Sequence, residues 1–304
     1  MRLLLIVNAS ASSVTARARV VIQKALAADH DLAVAETSRR GHASRLAQGA
    51  AADNVEAVLV LGGDGTLNEA ANGLAGTSTA LGVLPGGSTN VFARSIGMTN
   101  DPIEATGELL GALARGSIRP VNLGSVNGRY FLFHVGIGFD AAVVSRVERR
   151  ATLKRYAGHP LFVWAAVATW SRHYDRRRPH FRLEVPGREA VEDGFFAIGL
   201  NCDPYTFLRD RPLHVAPGTG LDTALALVTF RTLDLAIFVP LIVDALFGGR
   251  RLGRHRRVDR ATQVTEAVVT GYGPVPYQVD GDYLGEAERL DLRSESAVLR
   301  LVVP

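Results

Sequence analysis

The segment Gly62-Gly63-Asp64-Gly65-Thr66-Leu67-Asn68-Glu69 sets three glycines, a carboxylate and a hydroxyl where an apolar run, AVLVL, gives way to a helical pattern. Glycines at such a turn admit positive φ and let the backbone approach a ligand closely. The helix that follows supplies unpaired amides and the positive end of its dipole. That chemistry suits a phosphate. Asp64 would repel a bare anion, so the turn fits a phosphate carrying a divalent cation such as Mg²⁺, with Asp64 beside the metal. One glycine-rich turn carries little weight, but Pro85-Gly86-Gly87-Ser88-Thr89-Asn90 repeats the setting after the next apolar run. Gly87, Ser88 and Asn90 there add close backbone, a hydroxyl and an amide for phosphate oxygens. Two such turns on consecutive parallel strands lie side by side at the strand ends where open α/β sheets bind ligands, which points to a nucleotide. A third pattern, Asp280-Gly281-Asp282, reads by itself as a hairpin turn. It also offers carboxylates of the kind that accept a hydroxyl proton in phosphoryl transfer.

The elements that must hold these residues fall into two textures. From the N-terminus, LLLIVN, DLAVAET, AVLVLGG and TALGVLPGG read as strands separated by helical stretches up to Asp29, from His42 to Ala52 and from Leu67 to Leu74. Repeated βα units of this kind imply a parallel sheet covered by helices, with strands apolar on both faces. After Pro120 come short strand-like runs, RYFLFHVGIG, HFRLEVPG, GFFAIGLN, TALALVTF, QVTEAVVTG, PYQVDGDY and AVLRLVVP. Gly, Pro and Asp turns between them suggest an antiparallel sandwich. Helices around Pro160 to His173 and Leu233 to Phe247 interrupt the series. The expected organisation is α/β plus β: an α/β domain over residues 1–122 and a β-rich domain over 123–304, whose last segment can return to the first.

Composition limits the alternatives. With 47% hydrophobic and 21% charged residues among 304, the chain has the make-up of a packed globular protein. Cys202 is the only cysteine, so an internal disulfide, a four-thiolate zinc site and a CxxC pair are all excluded, and a reducing compartment is expected. The opening MRLLLIVNAS is too short for a signal-peptide core, and the apolar stretch Leu235 to Gly249, broken by Pro240 and Asp244, is too short to span a bilayer. The expected location is cytoplasmic. All but two of the 34 basic residues are arginine, gathered at Arg146, Arg149, Arg150, Lys154 and Arg155, at Arg172 to Arg178, and at Arg250 to Arg257. Such clusters can attract anionic lipid headgroups or form a solvated face. They lack interleaved aromatics and any nucleic-acid module signature, so no nucleic-acid partner is expected. GxxxxGK[ST] is missing, GxGxxG does not follow the first strand, and the HRD and DFG triplets of protein kinases do not occur.

At GGDGTLNE the chain resembles the diacylglycerol kinase catalytic-domain family, which includes bacterial diacylglycerol kinases and the sphingosine and ceramide kinases. The likeness extends to IVN at 6–8, Thr37 with Gly41-His42-Ala43, LPGGSTNVFAR at 84–94, GIGFDA at 136–141 and VDGD at 279–282. It implies an NAD-kinase-like nucleotide-binding domain followed by a β-rich domain. By motif match, Asn8, Thr37, Gly63, Asp64, Gly65, Thr66, Asn68 and Ser88 would contact ATP or its Mg²⁺. Asp280 and Asp282 match the catalytic acids, with one as general base on a lipid hydroxyl. The implied activity is transfer of the ATP γ-phosphate to diacylglycerol or a related long-chain alcohol at the inner face of a membrane. An NAD kinase-like enzyme and a catalytically weak lipid- or nucleotide-binding protein are the alternatives.

The departures are specific. Asp282 stands where the family usually has Glu, Val91 replaces a common Asp, and Ala9 a common Pro. In Gly220-Leu221-Asp222-Thr223-Ala224-Leu225, aligned with a stretch that holds a structural magnesium in some bacterial members, only Asp222 keeps a carboxylate. Loss of two hard oxygen ligands argues against a second Mg²⁺ there. Leu235 to Phe247, followed by the Arg250–Arg257 cluster, suits an anionic interface or a buried helix with a basic loop. His134 and Asp140 flank the GIGFD run, with core or turn roles open to each. An edge strand of the second domain allows a homodimer.

Overall fold

The computed structural model describes residues 1–9, 11, 14–149 and 151–304, with residues 151–160 as backbone alone, so Arg150 and the side chains of Lys154 and Arg155 lie outside the described residues. The chain forms two compact units, Met1–Leu123 with Ser296–Pro304, and Gly124–Glu295.

The first unit alternates strand and helix: β1 (Arg2–Val7), α1 (Ala16–Asp29), β2 (Asp31–Glu36), α2 (His42–Ala52), β3 (Ala57–Gly62), α3 (Asp64–Leu74), β4 (Ala80–Pro85), α4 (Val91–Ser95) and α5 (Pro102–Ala114), followed by β5 (Ile118–Val126), which runs across the boundary. β4, β3, β1 and β2 lie side by side in that order, all parallel. Residues 300 and 301 add a further parallel neighbour on the free side of β4, opposite Ala80 and Leu81. β3 and β4 are buried at every residue because they have strands on both sides and helices above and below. β2 departs from the expectation of strands apolar on both faces: it is the edge, and Val34 is 42% exposed. α5 starts where the Asp101 carboxylate accepts the N–H groups of Ile103 and Glu104 ahead of Pro102, a capped helix start of ordinary chemistry.

The second unit contains β6 (Arg129–Phe131), β7 (His134–Gly138), α6 (Phe139–Glu148), α7 (Ala151–Arg172), β8 (Phe181–Glu184), β9 (Val191–Gly194), β10 (Phe196–Leu200), β11 (Thr206–Leu208), β12 (Arg211–Leu213), β13 (Leu225–Phe230), α8 (Leu235–Ala245), β14 (Val258–Val264), β15 (Glu266–Val279) and most of β16 (Asp282–Val302). Its strands run β14-β13-β10-β7-β15-β16, antiparallel throughout, with β8 and β9 branching from β15. Alternation along the strands feeds two cores. On β10, Phe196, Ile198 and Leu200 join Val147 of α6, Ala165 of α7 and Leu241 of α8, whereas Ala197 joins an all-strand core with Phe181, Leu227 and Leu292. The architecture is therefore α/β plus β, as expected. RYFLFHVGIG does not form one strand: it breaks at Leu132 and Phe133, between β6 and β7.

Candidate functional site

In the first unit the two glycine turns lock onto each other. The N–H of Gly86 donates to the carbonyl of Gly62 at 2.8 Å. A Cβ on Gly87 would come 2.8 Å from the Cα of Gly63, and one on Gly86 would come 2.9 Å from the Gly62 nitrogen. These glycines are required by backbone-on-backbone contact. The expected positive φ is not their reason, because the left-handed glycines are elsewhere in the chain. Asn90 adopts the left-handed conformation instead, with φ of 49°. Its side chain accepts the Gly87 N–H at 2.7 Å and donates to the Gly87 carbonyl and to Asn100, which closes the second turn.

Asp64 joins the two turns. Its oxygens accept the N–H groups of Val91 at 3.0 Å and Phe92 at 3.1 Å, so the first residue of α3 caps α4. Asn8, at the end of β1, donates from its side chain to the Thr66 hydroxyl at 2.9 Å and from its backbone to Leu61. Thr37, just past β2, donates to the Val7 carbonyl. Asn8, Gly62, Gly63, Asp64, Thr66, Gly87 and Asn90 thus form one connected set at the strand ends, with Gly65 in the first turn of α3 and Ser88 exposed on the second turn. Asn68 is buried and meets Asn72 one helical turn on. Glu69 points its carboxylate at α2, accepting from Gly41 and Ala43.

The set fits a polyphosphate: the opening amides of α3 face no intrahelical acceptor, and the backbone lies bare where the glycines meet. Asp64 sets a carboxylate between the two turns, a hard-oxygen group of the kind that can ligate Mg²⁺ held mainly by phosphate and water. Among the described residues no three His, Cys, Asp or Glu side chains group as metal ligands. Asp222 is exposed and belongs to no such group.

In the second unit, Asp280 and Gly281 form the two-residue turn between β15 and β16, both at positive φ (49° and 82°), which is the backbone that a twisted hairpin demands. The Asp280 carboxylate is 5% exposed and points inward. It accepts the N–H groups of Leu132 at 2.7 Å and of Phe133 and His134 at 3.0 Å each. That bond set breaks the strand between β6 and β7. Asp282, two residues on, starts β16 at a partly exposed position.

Sequence reasoning missed three residues around this turn. Gln278, fully buried, accepts the Gly281 N–H at 2.8 Å through its side-chain oxygen and donates its amide to Asp140 at 2.8 Å. Tyr205 donates its hydroxyl to the other Asp140 oxygen at 2.5 Å. Glu148, at the end of α6, accepts the Tyr283 N–H at 3.1 Å. Nothing in the spacing of these residues marks them, since they meet only after β7, β15 and α6 pack. Burial pushes the Asp140 carboxyl above the usual carboxylate range, with the bonds from Tyr205 and Gln278 opposing the rise. His134 is buried beside the rings of Phe133 and Tyr205, at centroid distances of 4.8 and 4.5 Å, and desolvation lowers its pKa to about 3.

Comparison with known proteins follows the same lines. The diacylglycerol kinase catalytic domain family matches residues 2–126. A Pseudomonas aeruginosa (strain UCBPP-PA14) protein named "Probable lipid kinase YegS-like" is 34% identical over 246 residues, 73% of this chain and 78% of that one. The diacylglycerol kinase of Bacillus subtilis (strain 168) is 37% identical over 120 residues, and the match spans only 39% of its length. The crystal structure of a diacylglycerol kinase from Bacillus anthracis str. Sterne superposes with a TM-score of 0.73 at 20% identity, covering 100% of this chain and 97% of that one. Another solved chain from the same organism reaches 0.79 at 22%, covering 100% and 95%. At these identities the solved structures speak for the fold, and the sequence relatives for the family. The chain belongs to the diacylglycerol kinase catalytic-domain family, with a YegS-like lipid kinase among its relatives.

Proposed function

We propose that this protein transfers the γ-phosphate of ATP to the hydroxyl of diacylglycerol or a related long-chain lipid alcohol. The observation that carries the reading is the interlocked pair of glycine turns, joined by Asp64, at the end of a parallel sheet. Bare backbone, a helix N-terminus and one carboxylate suit a metal-bound polyphosphate better than a bare sugar or an apolar ligand. Asn8, Thr37, Gly63, Gly65, Thr66 and Ser88 would hold the nucleotide, with Asp64 on its Mg²⁺. When bound, the cation supplies charge neutralisation across the phosphates.

We assign the proton to Asp282. The oxygens of Asp280 already hold three buried amides, a role that supports the hairpin. Asp282 takes the proton of the lipid hydroxyl as that oxygen bonds to the γ-phosphorus. The bond from the γ-phosphorus to the bridging oxygen breaks, and ADP leaves with its electrons.

Membrane presentation of the lipid is part of the reading. No helix of the described residues is long and apolar enough to cross a bilayer. α8 nevertheless exposes Leu235, Val239, Ile242 and Val243, and Phe247 beyond it is 73% exposed. Arg250, Arg251, Arg254, Arg256 and Arg257 follow, all exposed. Apolar side chains that can dip below headgroups, beside cations that meet anionic ones, favour peripheral binding.

The test is incubation with radiolabelled ATP, Mg²⁺ and mixed micelles carrying diacylglycerol, monoacylglycerol, sphingosine or ceramide, with Asp64→Ala and Asp282→Asn in parallel. Label should enter an organic-soluble product, and each substitution should lower the rate about 10²-fold or more. Label in NAD and in no lipid would overturn the acceptor assignment.

A further inference from the structure

The hairpin that carries Asp282 is gripped at both flanks by one helix. α6 starts with Asp140 in its first turn and ends at Glu148. Asp140 holds the side-chain amide of Gln278, and the oxygen of that same amide holds the Gly281 N–H, on the residue before Asp282. Glu148 holds the Tyr283 N–H, on the residue after it. The Ser145 side chain, between the two on α6, meets the Tyr283 hydroxyl.

The orientation of Gln278 is forced. An amide N–H at Gly281 can meet only the side-chain oxygen, which turns the NH₂ end toward Asp140, where a carboxylate oxygen accepts it. The space for that bond comes from residue 136, across from Gln278 on β7, where a Cβ would stand 1.7 Å from an Asp140 oxygen and 2.4 Å from the Gln278 nitrogen. Glycine at 136 is therefore a condition of the link. Tyr205 occupies the remaining Asp140 oxygen, so both oxygens of this carboxylate are directed.

We propose that Gln278 and Glu148 are positioning residues which, with α6 as a splint, fix the backbone on either side of Asp282 so that its carboxylate is held ready for the acceptor hydroxyl. This rests on the reading of Asp282 as general base. Neither residue touches the reacting atoms. They act through the N–H groups of Gly281 and Tyr283, and a carboxylate that must meet a hydroxyl within hydrogen-bond reach loses rate steeply when its backbone wanders. Burial favours protonation of Asp140, and a proton there can be absorbed on the Tyr205 side, because that hydroxyl can turn from donor to acceptor whereas the NH₂ of Gln278 cannot.

The experiment compares Gln278→Met, Glu148→Ala, Glu148→Gln and Asp282→Asn by steady-state kinetics on the labelled lipid, and by amide hydrogen exchange. Gln278→Met and Glu148→Ala should lower kcat about ten- to a hundredfold with the KM for ATP unchanged, and should speed exchange at Gly281 and Tyr283 respectively. Glu148→Gln keeps an acceptor oxygen and should restore kcat. If Gln278→Met does not fold, the Glu148 pair, at a partly exposed site, decides alone. Wild-type kcat in Glu148→Ala, or no rescue by Glu148→Gln, overturns the proposal. If Asp282→Asn itself keeps full activity, the general-base reading fails, and unchanged exchange at Tyr283 in Glu148→Ala then overturns the splint independently of turnover.

Discussion

Asp280 and Leu132 lie 148 residues apart in sequence, yet the carboxylate of one accepts the N–H of the other at 2.7 Å, deep in the second unit. The bond distinguishes Asp280 from Asp282 on the other side of Gly281. Asp280 is a fastener for the backbone between β6 and β7, and the general-base role proposed above falls to Asp282.

Substitution should split them cleanly. Asp280→Ala strips the acceptor from three buried amides, each worth about 1–3 kcal/mol when left unsatisfied, so the second unit should lose at least about 3 kcal/mol in urea denaturation. Asp282→Asn should leave the unfolding midpoint where it was and remove turnover. A stable, active Asp280→Ala protein would mean that the carboxylate is dispensable to the hairpin.

His134 predicts an acid limit. Its pKa falls from 6.5 to about 3 because burial penalises the charged ring. Below pH 6.5 the unfolded chain takes up a proton that the folded one refuses until about pH 3. Stability from this group is thus whole above 6.5 and is lost on acidification at about 1.4 kcal/mol per pH unit. Urea midpoints at pH 7 and pH 5 should diverge in the wild type and converge in His134→Phe, a ring of similar shape between Phe133 and Tyr205.

Two glycine-to-alanine changes should act in opposite directions. Gly87→Ala pushes a methyl to 2.8 Å from the Gly63 Cα, so the turns must part and ATP affinity should collapse in a calorimetric titration. Gly107→Ala sits within α5 with nothing near its new methyl, and should raise stability by about 0.5–1 kcal/mol with nucleotide binding intact.

The α8 surface has its own signature. Val243→Ser with Phe247→Ser should weaken sedimentation with vesicles containing phosphatidylserine while sparing ATP affinity, and raised salt should weaken the wild type through the arginines. Equal sedimentation of wild type and variant would remove this face from membrane binding.

Local chemistry makes the glycine turns legible in the sequence alone, because apolar runs ending in glycine have few uses at a parallel strand end. Their mechanism was not legible. Whether a glycine serves positive φ or a close approach depends on what lies opposite, and Gly63 opposite Gly87 is a tertiary fact. The break at Leu132 was hidden for a similar reason: RYFLFHVGIG is apolar enough for one strand, and only a carboxylate arriving from residue 280 claims its amides. α5 has a legible start in Asp101-Pro102 but does not figure in the expected elements. α7 starts at Ala151, ahead of the start around Pro160 that the sequence suggests. Gln278, Tyr205 and Glu148 could not be found from sequence, because their partners Asp140, Gly281 and Tyr283 reach them only in the folded chain.

β16 has a consequence for the order in which the protein can be made. Residues 300 and 301 close the side of β4 that emerges from the ribosome more than two hundred residues earlier. Until then β4 presents a row of open backbone groups to the cell, and the whole of the second unit is synthesised in the interval. The parallel sheet of the first unit is thus sealed last by the strand that begins at Asp282, so a ribosome that stalls before residue 296 leaves that sheet with an open edge.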